Sequence, residues 1–171
     1  MRNHFFISKT FQASVWWLLC LTLLAGCGFK LRGAYQLPAA MHSTYIDSGS
    51  SSAQLIRTLK SSLKASDINL LEQASDTAAV LKVFRESRSK RIASVDSKGR
   101  AREYTLIYAV SFSVKAAADN FVIEEQTISI DRDFLFDTED VLGNARGESQ
   151  LYEEMQQDLV RLILLRLQSK S

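Results

Sequence analysis

The longest regular alternation of apolar and polar residues runs from Tyr104 to Lys115. A period of two predicts a β-strand that buries one face, and the adjoining segments 79–95 and 121–137 also have the composition of strands. Short polar stretches, 96–100 and 116–120, separate the three segments and predict tight turns, so the strands should form an antiparallel meander. The positions expected to share the buried face of the central strand are Tyr104, Leu106, Tyr108, Val110, Phe112 and Val114.

Two segments carry apolar residues at helical spacing, and they predict the helices of the fold. The first begins after Ser51 or Ser52, either of which can cap it, and runs to about Ala65. The second runs from Glu148 to about Gln168, and the segment 138–147 before it is a predicted loop. The apolar stripes are Leu55, Ile56, Leu59 and Leu63 in the first helix, and Leu151, Met155, Leu159, Leu162 and Ile163 in the second.

A short predicted strand, Ser43–Asp47, precedes the first helix, so the order of elements is β-α-β-β-β-α. The helix between the first two strands allows them to be parallel, with a right-handed crossover. The predicted fold class is therefore α+β, a two-layer sandwich with a four-stranded mixed sheet and two helices on one face. The opposite sheet face should stay open, because its side chains are small and polar.

The amino-terminal segment has the pattern of an export signal. Residues 1–14 contain two basic residues and no acid, and residues 15–25 are almost wholly apolar but short of the roughly 20 residues of a membrane-spanning helix. The sequence Leu24-Ala25-Gly26-Cys27 resembles the bacterial lipobox, in which the cysteine is acylated and the chain is cut just before it. The alternatives are a membrane-anchoring helix and a buried core helix.

This interpretation divides the chain into a signal peptide, 1–26, an acylated amino terminus and linker, 27–42, and one domain, 43–171. Acyl chains on Cys27 would anchor the domain to a membrane. Gly28 stands where an aspartate would retain a lipoprotein in the inner membrane, which implies the outer membrane. The other cysteine, Cys20, lies in the predicted signal peptide, so no internal disulfide is expected.

Charge argues against a nucleic-acid-binding protein. The full chain has a net charge of +2, and the predicted signal peptide contains Arg2 and Lys9 but no acid. The rest of the chain therefore has equal numbers of basic and acidic residues, whereas nucleic-acid-binding domains are usually basic.

Candidate catalytic and metal-binding residues are few. His42 is the only histidine after residue 26, so a zinc site lacks partners and a Ser-His-Asp triad would depend on this one residue. Asp131, Asp133 and Asp137 form a cluster that we interpret as a solvated strand end rather than a metal or glycosidase site. The sequence predicts no enzyme, no metal and no cofactor.

A basic cluster occupies the first predicted hairpin, and it has two interpretations. The charges can simply keep the hairpin soluble and pair across strands, or they can bind an anion, since arginine and lysine suit phosphate groups. In an outer-membrane lipoprotein the abundant anion would be the phosphorylated lipid A part of lipopolysaccharide. The cluster consists of Lys82, Arg85, Arg88, Lys90, Arg91, Lys98, Arg100 and Arg102.

Four stretches of the sequence together resemble the LptE (RlpB) family of lipopolysaccharide-assembly lipoproteins. They are "LLAGCGFKLRG", "EYTLIYAVSFSV" after a Gly-Arg turn, "FLFD" followed by "VLG", and "LYEEMQQDLVRLILLRL". Their order and spacing match over nearly the whole chain after residue 26. The resemblance implies an α+β fold and a lipid-anchored protein at the periplasmic side of the outer membrane. It also implies that the chain plugs and helps to assemble the β-barrel protein LptD and binds lipopolysaccharide.

The resemblance carries over to individual residues with different strength. Cys27 matches the acylated cysteine, and Lys98 and Arg100 match a hairpin turn that usually bears a basic residue. The family often has a lysine in the loop after "VL", where this sequence has Asn144, so Arg146 would have to replace it. The candidate lipopolysaccharide-binding residues are Arg91, Lys98, Arg100 and Arg146.

Two other functions remain open on the sequence. A free-standing lipoprotein that carries lipid or another envelope ligand would need a deep apolar pocket between sheet and helices. A small envelope hydrolase would depend on His42, and its replacement by alanine would abolish activity.

Overall fold

The computed structural model describes residues 35–116 and 121–170, so the predicted signal peptide and Cys27 lie outside the described residues. After a single 3-10 turn, Ala39–Met41, the chain forms five strands and two helices. The strands are β1 (Ser43–Asp47), β2 (Asn69–Leu71), β3 (Ala79–Val95), β4 (Ala101–Lys115) and β5 (Val122–Leu135). The helices are α1 (Ala53–Lys64), between β1 and β2, and α2 (Val141–Gln168), after β5.

The strands form one mixed sheet in the order β2-β1-β3-β4-β5, which confirms the α+β fold class. β1 pairs in parallel with β3, as predicted for two strands joined through a helix, and β3, β4 and β5 are antiparallel neighbours. The predicted number of four strands was wrong by one. β2 has only three residues and pairs in parallel with β1, and so short a strand leaves no alternating pattern in the sequence.

Helix α1 begins where the sequence predicted it. Ser52 is the N-cap, and its hydroxyl accepts a hydrogen bond from the Leu55 amide at 3.3 Å. The four predicted apolar residues of the stripe are its buried residues.

Helix α2 begins two turns earlier than predicted, because residues 141–147 are helical rather than a loop. Asp140 caps it by accepting a hydrogen bond from the Gly143 amide at 2.8 Å. Two glycines and an asparagine favour a loop in this segment on local propensity. Tertiary contacts override that preference, since buried Asn144 accepts from the Asp137 amide at 3.0 Å and donates to the Asp137 carbonyl oxygen.

Gly147 is needed for the close approach of α2 to β5. A Cβ at this position would lie 3.2 Å from the Phe134 ring, tighter than an ordinary van der Waals contact. We expect Gly147→Leu to lower the free energy of unfolding by about 1–3 kcal/mol, because the helix must move off the sheet. Urea unfolding measures the loss, and Ala145→Leu on the exposed side of the same turn is the control that should change it little.

The core lies between the sheet and the helices. Leu106, Tyr108, Val110 and Phe112 of β4 are fully buried, which confirms the predicted apolar face of that strand. Leucine, isoleucine and methionine side chains of both helices pack against them. The largest fully buried side chains of the core, besides those of β4, are Met41, Leu55, Leu59, Leu63, Leu81, Met155, Leu159, Ile163 and Leu164.

A polar network crosses this core and ties β3 to both helices. The Glu86 carboxylate accepts hydrogen bonds from the Ser52 amide at 2.5 Å, the Ser52 hydroxyl at 3.0 Å and the Tyr108 hydroxyl at 2.5 Å. Arg88 donates to the Tyr108 hydroxyl at 3.0 Å and to the Gln156 side chain at 3.3 Å. Burial and the hydrogen bond to Glu86 raise the pKa of Tyr108 to about 12, so its hydroxyl stays a donor at neutral pH.

The other sheet face has no helix over it among the described residues, as the sequence predicted. In the middle of this face, cross-strand pairing places Ser87 beside Ala109 and Ala109 beside Ser129. It also places Ser111 beside Thr127. The Ser111 and Thr127 hydroxyls are 2.7 Å apart and hydrogen-bond each other. We call this surface the open face; small hydroxyl side chains make up much of its centre, and Thr105 and Ser111 on it are buried among their neighbours.

Candidate functional site

The turn between β3 and β4 is stabilised by hydrogen bonds to Asp96. Its carboxylate accepts hydrogen bonds from the Lys98 amide at 2.8 Å, the Arg100 amide at 2.9 Å and the Arg100 guanidinium at 2.8 Å. The hydrogen bonds from Arg100 lower the pKa of the Asp96 carboxyl, because they stabilise its ionised form. Gly99 supplies the left-handed conformation of this turn, with φ at +76°. The turn therefore presents the Lys98 side chain from a fixed backbone.

Half of the basic cluster is engaged in ion pairs, which supports the solubility interpretation for those residues. Arg100 pairs with Asp96 at 2.8 Å and Lys90 with Glu148 at 2.7 Å. The hydrogen bond to Glu148 raises the pKa of Lys90. Two further cations of the cluster are paired: Arg85 with Glu125 at 3.4 Å, and Arg88 with Glu86 at 3.6 Å.

The four candidate residues lie towards one end of the molecule but do not form one compact site. Lys98 and Arg100 share the turn. Arg91 pairs with Thr105 and lies on the open face, about 13 Å of strand before the turn begins. Arg146 is exposed on the second turn of α2, in the helix layer rather than in the predicted loop. Within residues 35–116 and 121–170, Arg91, Lys98 and Arg146 have no ion-pair partner, whereas Arg100 is already partly neutralised.

A shallow depression of about 460 Å³ lies beside the turn. Arg102 lines it together with Arg100 and Asp96, and the last residues of β5 and the chain just after it form the opposite wall. Sequence reasoning placed Arg102 in the basic cluster but did not select it as a binding residue. The alternation along β4 alone did not show that this arginine faces a cavity, since the opposite wall comes from β5.

Exposed apolar side chains surround the same region, which we call the hairpin end: residues 92–102, residues 135–138 and the first two turns of α2. Leu135 and Leu142 are each 73% exposed. Several large apolar side chains exposed at one end of a domain are a feature of surfaces that bind other molecules. The hairpin end thus combines free cations with apolar surface, the chemistry that matches an amphiphilic anion. Its other exposed apolar residues are Ile92, Val95 and Val141.

The acidic residues singled out in the sequence do not converge. Asp133 accepts a hydrogen bond from the Thr105 hydroxyl at 3.2 Å, and Asp137 accepts one from the Glu139 amide at 2.9 Å. Asp131 is exposed on the open face. In the part of the chain that the structure describes, no group of histidine, cysteine, aspartate and glutamate side chains could hold a metal ion.

His42 is exposed at the end of the 3-10 turn, where its backbone carbonyl accepts a hydrogen bond from the Asn69 amide at 2.8 Å. Its side chain lines a surface depression with Ser66 and Asp67. No hydrogen bond is found between these three side chains within the described residues, so the arrangement of a catalytic triad is not formed.

The helices of the described residues are all too short or too polar to span a membrane.

Comparison with known proteins places these features in a family. The family model described as LptE, lipopolysaccharide-assembly, matches residues 41–167. The LPS-assembly lipoprotein LptE of Photorhabdus laumondii is 29% identical over 149 residues, which cover 87% of this chain and 81% of that protein. The LPS-assembly lipoprotein LptE of Pectobacterium atrosepticum is 26% identical over 151 residues, which cover 85% of this chain and 81% of that protein.

A solved structure has the same fold. The crystal structure of rare lipoprotein B from Shewanella oneidensis superposes with a TM-score of 0.66 at 25% identity, covering 74% of this chain and 94% of that one. The match of the family model spans β1 to the end of α2, and therefore includes the whole sheet and both helices. The chain belongs to the LptE family of lipopolysaccharide-assembly lipoproteins.

Proposed function

We propose that this chain is an outer-membrane lipoprotein, cut before Cys27 and acylated there, that plugs an LptD-like β-barrel and binds lipopolysaccharide at the hairpin end. It acts as a structural and binding subunit and not as an enzyme. The observation that carries the proposal is the combination, at one end of a domain of this family, of cations without an ion-pair partner and exposed apolar side chains.

The chemistry of the hairpin end suits lipid A. Lys98 and Arg146 offer charge to phosphate groups, and the exposed leucines and valines offer apolar surface to acyl chains. Arg100 would bind phosphate only by sharing its guanidinium with Asp96. Arg91 lies on the open face, where it would contact a more distant part of the ligand.

The open face suits contact with the inside of a barrel. Barrel lumens are polar, and small hydroxyl side chains allow a polar wall to approach closely. The dimensions agree as well, because β3 extends about 43 Å beyond Lys82, where its pairing with β1 ends. This length is comparable to the roughly 30 Å thickness of the hydrocarbon core of a bilayer.

The packed interior argues against the alternative of a free-standing carrier. A carrier needs a deep apolar pocket between sheet and helices, but buried leucine, isoleucine and phenylalanine side chains fill that space in the described residues. Four depressions formed by the described residues are open to solvent and lie at the surface of the domain.

The test is a pull-down of the tagged, membrane-extracted protein with mass spectrometry of what accompanies it. A barrel protein of the outer membrane in a one-to-one ratio is the expected result. Recovery of the acylated chain alone would contradict the plug and favour the carrier.

Charge reversal at the turn tests lipopolysaccharide binding. We expect the double variant Lys98→Glu and Arg100→Glu to weaken binding about tenfold or more and to reduce its salt dependence, because two cations next to the phosphates become repulsive. Binding of purified lipopolysaccharide at several salt concentrations measures both effects. The matched control, Lys60→Glu with Lys64→Glu on the exposed side of α1, makes the same change of charge and should leave binding unaltered. Equal losses in the two variants would show that only the net charge matters.

A further inference from the structure

β5 is the outermost strand of the sheet, and no strand of the described residues pairs with its outer edge. Unpaired edges invite association, and proteins usually protect them with charged residues, short strands or bulges. β5 has such charges only towards its two ends, at Glu124 and Glu125 and at Asp131, Arg132 and Asp133. The central segment 126–130 has the sequence QTISI, with no charge and high β-propensity.

The other exposed edges of the sheet are protected differently. β2 has only three residues, too few to offer a long edge. Beyond Lys82, where pairing with β1 ends, the outer edge of β3 contains Arg85, Arg88 and Lys90. Its charges follow the usual pattern of a protected edge. The centre of β5 is therefore the unprotected stretch of edge in the described part of the sheet.

An apolar groove of about 300 Å³ lies alongside this centre, between β5 and the last turns of α2. Ile128, Leu162 and Leu165 line it, with Leu165 38% exposed. Arg166 and Ser169 form its rim, and Arg166 has no ion-pair partner among the described residues. Because side chains alternate along a strand, a segment added beside β5 would place every second side chain on the helix side of the sheet, where one of them could enter this groove.

We propose that the edge of β5 binds an extended segment of the barrel protein, which adds as a further strand to the sheet. The segment has an aliphatic side chain that enters the groove beside Leu165 and an acidic group that meets Arg166. This is strand addition, in which main-chain hydrogen bonds give affinity and a side-chain groove gives specificity. The inference rests on the proposed function, since it names a contact between this chain and the barrel.

Hydrogen exchange of the full chain, alone and in its complex with the barrel protein, tests the contact. In the free chain the outward amides of residues 126–130 should exchange readily. In the complex, alternate amides of this segment should slow by about 100-fold or more, because only every second N–H of an edge strand points to the added strand.

Two variants test the groove. Leu165→Glu and Arg166→Glu should each reduce recovery of the barrel protein about tenfold, whereas Arg57→Glu, on the exposed side of α1, should not. Thermal unfolding of each variant shows that the domain is still folded. Recovery of the barrel with unprotected β5 amides would overturn this inference and leave the plug in place. Failure of the native chain to recover any barrel would overturn both.

Discussion

Replacing Glu86 with alanine should lower the free energy of unfolding by about 2–4 kcal/mol. The Glu86 carboxylate accepts hydrogen bonds from the amide of Ser52, the N-cap residue of α1, and from the buried Tyr108 hydroxyl. The Glu86 side chain is only 10% exposed. Removing it leaves the Ser52 amide without an acceptor and leaves Arg88 without its counter-charge. The Tyr108 hydroxyl keeps only a long hydrogen bond of 3.5 Å to Gln156. Urea unfolding at neutral pH measures the loss.

A matched control exists in the same sheet, on β5. Glu125 forms an ion pair with Arg85, but both side chains are more than half exposed. Glu125→Ala should therefore cost less than about 1 kcal/mol, the usual value of a surface ion pair. Similar losses in the two variants would show that the network around Glu86 contributes no more than surface charge.

The Glu86→Ala variant should also change the titration of Tyr108 at alkaline pH. The folded pKa of Tyr108, about 12, is above the ordinary value of 10.0, so its contribution to stability is complete below pH 10 and is lost as the pH rises towards 12. Part of this rise comes from the hydrogen bond to Glu86 and from its negative charge. In Glu86→Ala the pKa of Tyr108 should fall, which ultraviolet titration of the tyrosines would detect.

If the chain is acylated at Cys27 as proposed, replacing Cys27 with serine should remove it from the outer membrane almost completely. Without the thiol there is no site for acylation, and cleavage before residue 27 should fail. The uncut precursor should then appear in the inner membrane. Intact mass measurement and separation of the two membranes by density detect both changes.

Cys20→Ser is the control for this experiment, because Cys20 lies inside the apolar stretch of the predicted signal peptide. It should leave cleavage and location unaltered. Normal cleavage of the Cys27→Ser variant, with the mature chain in the periplasm, would contradict the lipobox and favour an ordinary export signal.

Local patterns predicted the elements whose burial follows a simple period. The helix side of β4 is buried from Leu106 to Val114, so alternation placed Leu106, Tyr108, Val110 and Phe112 correctly. Thr105 and Ser111 on the opposite face are buried too, which alternation did not predict. α1 has a cap and four apolar residues at helical spacing, and both features were visible along the chain. The three-residue strand β2 was missed, because each of its residues pairs with a β1 residue that lies 26 positions earlier in the sequence.

The start of α2 shows the opposite case. Its first two turns contain Gly143, Asn144 and Gly147, residues that favour a loop when judged one by one. Asn144 is instead buried against the backbone after β5, and Gly147 gives room for the Phe134 ring. These contacts are with β5 and with the chain just after it, so residues 138–147 taken alone do not show them. As a result, Arg146 lies on a helix and not in the loop where the sequence placed it.

The candidate site was predictable only as a region. The density of basic residues between Lys82 and Arg102 identified the hairpin, but not which charges were free. Ion pairing with Glu86, Glu125 and Glu148 depends on which side chains the register and the helices bring within reach. The depression beside Arg102 likewise needs β5 as its second wall.

The amino-acid sequence by itself determined the fold class, the buried face of β4, the cap of α1 and the location of the basic hairpin, because each follows from neighbours along the chain. The tertiary structure alone decided which cations stay unpaired, where α2 begins, and that the uncharged centre of β5 lies beside an apolar groove. These depend on side chains that are distant in sequence and meet only when sheet and helices pack. Periodicity describes one element at a time, whereas a binding surface is made by several.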